Sequence, residues 1–172
     1  MNQGINEKIS ASIQTFNLPD YQSIPDVGLY LEQTVRYISD CLSPLSSISI
    51  TGSMVANYVK KDLIDNPVKK QYSREQIAYL IFIAVAKTVL SLEDIQLLIK
   101  LQKKTYTAQR AYEYFAREFI NILYFVFGLK ETLDEIGVDN TDEKTMLRNT
   151  IITVAHKIHL DKCFEANRAT VD

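Results

Sequence analysis

Apolar positions along the 172-residue chain recur mostly at helical spacing. Ile5, Ile9, Ile13 and Phe16 stand at i, i+4, i+8 and i+11, one face of a short amphipathic helix within residues 1–17 that is expected to pack back on the rest of the chain. Pro19 and Pro25 bracket a stiff extended connector, because each proline fixes its own φ and restricts the residue before it. Over 26–41, Val27, Tyr30, Leu31, Thr34, Val35 and Ile38 fall on one side and predict a second helix, which the run 43–47 ends. The run 49–53 is rich in residues that cap helices, and Met54, Val55, Tyr58, Val59 and Leu63 after it define the buried face of a third.

Pro67 forbids continuation of that helix, and Val68-Lys69-Lys70-Gln71 has room only for a tight turn or a clipped two-stranded wing. Ser73-x-x-Gln76 is a capping-box pattern. Ile77, Leu80, Ile81, Ala84, Val85 and Thr88 line one side of the helix it opens, and Phe82, Ile83 and Val89 make that helix apolar almost all round, the buried spine of the domain. Ser91 caps the next helix, with Glu93 and Asp94 in the first turn where the helix dipole favours acids, and Ile95, Leu98, Ile99 and Gln102 continue it.

Beyond a junction at 103–107, residues 108–136 predict one long helix whose stripe is Ala111, Tyr112, Phe115, Phe119, Ile122, Leu123, Val126 and Phe127, with Gly128 as a kink and Gly137 as its stop. The polar run 139–143 caps a last helix, and Met146, Leu147, Thr150, Ile151, Val154, Ala155 and Ile158 lie on its inner side. These two helices predict an antiparallel hairpin whose stripe needs cover from the rest of the chain or from a second copy. The expected fold is therefore all-α, divided into residues 1–104 and a C-terminal helical hairpin, 105–172, that serves dimerisation or effector binding.

Composition agrees: Gly (5) and Pro (4) are few and Trp is absent. Cys41 and Cys163, far apart and without a secretion signal, predict reduced thiols in a cytoplasm. The longest apolar run, 77–89, is broken by Lys87 and is too short to span a bilayer. The net charge of −2 hides an uneven distribution, for residues 48–104 hold nine basic against five acidic side chains while both flanks are acidic.

Signals for chemistry are weak. His156, His159 and Cys163, at i, i+3 and i+7, are metal-ligand types, but no fourth ligand is evident and a polar helix edge is the plainer reading. Tyr106, Tyr112, Tyr114, Tyr124, Phe115 and Phe119 suit core or dimer packing, or else a small-molecule pocket. No Gly-rich phosphate loop, nucleophile-base arrangement or carboxylate dyad stands at a meaningful spacing, so neither an enzyme nor a cofactor is expected.

The basic cluster is more informative. The third helix would hide Met54, Val55, Tyr58 and Val59 while showing Ser53, Ala56, Asn57 and Lys60, flanked by Lys61, Lys69, Lys70 and Arg74. Small, amide and cationic side chains on one helical face can reach base edges and phosphates in a major groove. In order, 57–64, Pro67, 70–75, Leu80-x-x-Ile83, Lys87 and Leu90-Ser91-Leu92-Glu93-Asp94-Ile95 resemble the DNA-binding domain of MerR-like regulators: recognition helix, wing and helix pair. With Leu18-Pro19-Asp20-Tyr21 and 24–33 upstream, the chain resembles more closely an uncharacterised bacterial family known as a conserved domain of unknown function, over residues 18–101. It departs from the MerR-like pattern at Ala56, where that pattern has a phosphate-binding arginine, and in a shorter wing.

The resemblance implies a MerR-like winged helix-turn-helix domain and a transcriptional regulator that binds double-stranded DNA; the apolar stripe of the hairpin adds the expectation of a homodimer and the cysteines that of a cytoplasmic protein. Ser53, Ala56, Asn57 and Lys60 would face the groove, with Asn57 as base reader; Lys61, Lys69, Lys70 and Arg74 would hold phosphates. The alternative is a helical protein-protein interaction module that keeps this fold without binding DNA. An effector ligand, if there is one, is not named by the sequence.

Overall fold

A computed structural model describes residues 3–137 and 140–171. It is mostly helical: α1 (Gln3–Ala11), a single 3-10 turn (Tyr21–Ser23), β1 (Leu29–Tyr30), α2 (Leu31–Leu42), α3 (Gly52–Lys60), β2 (Gln71–Tyr72), α4 (Arg74–Ala86), α5 (Leu92–Thr105), α6 (Ala108–Val126) and α7 (Asp142–Val171). The architecture is all-α apart from the antiparallel pair β1–β2, in register Leu29 to Tyr72 and Tyr30 to Gln71. Among the described residues no helix is long and apolar enough to cross a membrane.

One apolar core takes side chains from every helix, among them Ile9, Ile38, Val55, Ile81, Ile95, Phe119 and Val154. Helix α4 lies at its centre: Ile77, Ala78, Leu80, Ile81, Ile83, Ala84, Val85 and Ala86 are all buried, as expected for a helix apolar all round. Its start is fixed by the capping box, in which Gln76 N donates to Ser73 Oγ (3.3 Å) and Ser73 N donates to Gln76 Oε1 (2.9 Å). Ser91 caps α5 in the same way, its Oγ accepting from Asp94 N.

The helix read over 26–41 begins only at Leu31. Gly28 has φ +78°, a left-handed turn that lets residues 29–30 swing into the β1–β2 pair, and Val27 (84% exposed) and Tyr30 (54%) face solvent, not the core. Thr34 and Ile38 do point inward. Helix α3 is also shorter than the pattern to Leu63: it stops at Lys60, and Asp62 turns left-handed at φ 55°. Leu63 N then donates to Tyr58 O and Asp62 N to Val59 O, a Schellman ending that drops Leu63 into the core.

The helix predicted over 108–136 ends at Val126. Gly128 (φ +71°) terminates it and does not merely kink it, with Leu129 N donating to Tyr124 O and Gly128 N to Phe125 O. Of the run read as capping α7, Asp139 lies outside the described residues, and Thr141 Oγ1 accepts from Lys144 N at 3.4 Å. Met146 is 39% exposed, whereas Ile151, Val154, Ala155 and Ile158 are buried as read. At 30 residues, about 45 Å, α7 is long enough to lie along α6 and reach α1, α4 and α5 as well. The hairpin stripe is thus covered by the chain's own N-terminal part. Tyr112 Oη donates to Pro19 O and Tyr124 Oη to Phe16 O, fastening the proline connector and the N-terminal segment before it to α6.

Candidate nucleic-acid interface

Helix α3 is built from a Thr51 cap, whose Oγ1 accepts from Met54 N at 3.3 Å and lies 3.1 Å from Ser53 Oγ. Val55 and Tyr58 are buried, and burial alone pushes the Tyr58 phenol above its ordinary pKa, so it stays neutral. The opposite face, Ser53, Ala56, Asn57 and Lys60, is exposed among the described residues. Below it, Lys87 Nζ lies 3.0 Å from Met54 Sδ; partial burial lowers its pKa. Gln96 of α5 donates to Lys61 O (2.9 Å) and Asp62 O (3.4 Å), clamping the C-terminal end of α3.

The segment expected to form a tight turn or a clipped wing is a two-residue hairpin turn. Val68 bridges Gln71, Gln71 N donates to Val68 O at 2.9 Å, and both central residues, Lys69 (φ 51°) and Lys70 (φ 62°), are left-handed. Positive φ at both positions is the type I′ pattern, which favours Asn-Gly and strains branched or long side chains. Both lysines are exposed. Gln76 Nε2 donates to Asp65 O, holding down the loop that leads into the turn. Beyond the turn β2 pairs with β1, and Leu31, the residue after β1, packs against Gly52 at the start of α3. The turn is therefore linked to the N-terminal end of α3 through β1 and Leu31. Val68 (74% exposed), which opens the turn, and Tyr30, on the strand β1 that pairs with Gln71, stand in solvent.

Lys60, Lys69 and Lys70 are exposed, as are Ser53, Ala56 and Asn57. Lys61 is half-exposed and lies 3.6 Å from Glu93, an exposed pair of little energetic weight from which its ammonium is readily released. Asp62 and Asp65 are the other acids close by in the chain, and both are exposed.

Arg74 is placed differently from the reading that gave it a phosphate. Its Nε donates to Ile24 O (2.8 Å), one terminal nitrogen to Gln22 Oε1 (2.9 Å) and the other to Gln22 O (3.3 Å), and its guanidinium sits 5.8 Å from the Tyr21 ring centre. It pins the proline connector to α4. Neither this role nor the Gln96 clamp has a sequence signal, since each links residues more than thirty positions apart.

The other constellations are also placed. His156 is exposed, His159 lies edge-on to Phe127, and Cys163 Sγ is 3.7 Å from His159 Nδ1. Among the described residues no three His, Cys, Asp or Glu side chains are grouped to hold a metal. Tyr106, Tyr112, Tyr114 and Phe115 line a cavity, while Phe119 is fully buried in the core.

A family model described as Domain of unknown function (DUF1836) matches residues 19–115, from the connector through the first two turns of α6. No curated protein and no solved structure matches the chain.

Proposed function

The chain belongs to the DUF1836 family, whose match spans more than half its length, and from the face carried by that segment we propose a sequence-specific DNA-binding protein of winged helix-turn-helix type. The observation that carries the reading is the wing. Two adjacent lysines occupy left-handed positions where Asn-Gly would be more stable, so the turn keeps ammonium groups at a cost in backbone energy. Strain retained at an exposed tip argues that the charges serve a partner, and a polyanion is the partner that lysines at a hairpin tip suit.

In the proposed complex α3 enters the major groove with Ser53, Ala56, Asn57 and Lys60 towards the bases. The Asn57 amide pairs with adenine in two hydrogen bonds, and Ala56 leaves room for the approach. Lys61, Lys69 and Lys70 hold phosphates on either side, and Val68 at the tip adds apolar contact with sugar or a thymine methyl. The resemblance of the sequence to MerR-like regulators supports this reading, and we extend it to a homodimer acting on bacterial operators in the cytoplasm. Leu160 and Phe164, 51% and 54% exposed and one turn apart on α7, are apolar side chains suited to the contact between copies.

Selection of bound duplexes from a random pool by the full chain tests this. Enrichment of a defined half-site, repeated with two-fold symmetry, is the expected result. An unenriched pool, with affinity at the non-specific level of about 10⁻⁴ to 10⁻⁶ M, overturns it and favours a protein-protein interaction module on the same fold.

A further inference from the structure

Away from α3, a cavity of about 140 Å³ lies between α4, α5, α6 and the start of α7. Aromatic rings dominate its wall: Tyr79, Phe82, Tyr106, Tyr112, Tyr114 and Phe115. Three of them already pack edge-on, Phe82 against Phe115 with ring centres 5.3 Å apart at 80°, and Tyr112 against Phe115 at 6.2 Å and 61°. Rings in such arrangements gain beyond the area they bury, so one more ring in the cavity extends the same array. An engineered apolar cavity of roughly 150 Å³ takes up benzene, and the volume here limits a guest to about one ring.

Much of the wall's polar edge is tied within the chain. Tyr79 Oη donates to Gln102 Oε1 (2.9 Å), Gln102 Nε2 donates to Tyr106 O (2.8 Å), and Tyr106 Oη lies 3.3 Å from Thr141 Oγ1. The charged side chains of the wall are engaged as well. The Arg110 guanidinium lies 5.2 Å from the Tyr106 ring centre and Lys144 Nζ 4.9 Å from that of Tyr114. Glu143 accepts a hydrogen bond from the Thr105 side chain. Glu118, on the same helix as Tyr114 and Phe115, has its pKa raised by burial and pulled back by Arg148, the Asn121 side chain and Lys144. Cations and carboxylates therefore offset one another here. A charged guest would have to displace one of these contacts or leave its own charge unpaired, a cost that an uncharged ring avoids.

We propose that this cavity is a binding site for a neutral, single-ring aromatic compound, its ring packed among Phe82, Tyr112 and Phe115. The inference is independent of DNA binding, because it uses neither the exposed face of α3 nor the wing.

NMR titration of the full chain with toluene, benzyl alcohol, benzoate and benzylamine, followed at the side-chain methyl groups, tests it. Saturable one-to-one binding of toluene is expected, with the largest shifts at Ala78, Leu98, Ala111 and Leu147, which line the cavity. Benzyl alcohol should bind about tenfold more weakly, because the hydroxyl meets polar groups that already have partners. Benzoate and benzylamine should both be weaker than the alcohol, since neither sign of charge is favoured. Ala111→Phe and, separately, Ala108→Phe each add a ring at the lining and should lower toluene affinity at least tenfold, with circular dichroism reporting that the fold is kept; the probe order and the shift map of the parent chain stand without either variant. Absence of toluene binding, shifts confined to residues outside the lining, benzoate or benzylamine binding as tightly as toluene, or unchanged toluene affinity in a folded variant each overturns the proposal.

Discussion

Exchanging Lys69-Lys70 for Asn-Gly separates what the wing does for the fold from what it does for a partner. Both residues are left-handed, at φ 51° and 62°, in a two-residue turn closed by Gln71 N on Val68 O. The left-handed conformation costs an ordinary residue about 1–2 kcal/mol, whereas Asn tolerates it and Gly adopts it freely, although Gly gives back about 0.5–1 kcal/mol through its larger unfolded-state entropy. The net gain should be about 1 kcal/mol, a rise in Tm of about 2–4 °C for a chain of this length. The same exchange removes two of the four ammonium groups assigned to the face. Each phosphate contact adds about −0.9 to the slope of log affinity against log salt, so the three phosphate-holding lysines Lys61, Lys69 and Lys70 give about −2.7 per protomer and the exchanged protein about −0.9. Thermal melts followed by circular dichroism and fluorescence anisotropy of a labelled duplex, titrated at several salt concentrations, give both numbers. A variant that is more stable but keeps the full salt slope removes the wing from the interface. One that is less stable refutes the account of the turn.

Further outcomes follow from other sites. Asn57→Ala should lower affinity for the selected duplex by about 1–3 kcal/mol while leaving a scrambled duplex unaffected, as read from paired titrations; equal losses on both would make Asn57 a general contact only. Asp62→Gly relieves the φ of 55° at the end of α3 and should raise unfolding free energy by about 1 kcal/mol in urea, with destabilisation as the refuting result. Glu118 is 1% exposed, and Arg148 Nε stands 2.9 Å from one of its carboxylate oxygens. Burial raises its pKa and Arg148 only partly offsets that. Its contribution to stability is therefore full below the ordinary Glu range and lost as pH rises through the raised folded value. Glu118→Gln should be about 1 kcal/mol more stable than the parent at neutral pH, with the difference vanishing on acidification. A constant difference across pH would show that Glu118 does not titrate as argued.

Local signals in the sequence carried far and distant ones did not. The Ser73–Gln76 box and the Ser91 cap each close within four residues, and the apolar wrap of α4 is visible because it is continuous, so those elements were legible. The exposed set on α3 was legible too, since helical periodicity alone separates Val55 and Tyr58 from Ala56 and Asn57. The β1–β2 pair joins residues some forty positions apart through two-residue strands, too short to show alternation, so residues 26–30 read as helix. At Gly128 the aromatic stripe ran up to the glycine and argued for continuation, and only the left-handed backbone there shows an end. Arg74 drew its assignment from the charge cluster, whereas its partners Gln22 and Ile24 lie fifty residues away and are brought to it by the fold. The cavity is likewise assembled from four helices, and its tyrosines read by default as core or dimer packing.

Amine-reactive footprinting of the full chain, with and without duplex DNA at low salt and resolved by mass spectrometry, tests the central claim most directly. The account predicts protection of Lys60, Lys61, Lys69 and Lys70, with Lys8, Lys157 and Lys162 unchanged. Protection that is absent, or that falls on the latter lysines, would contradict it.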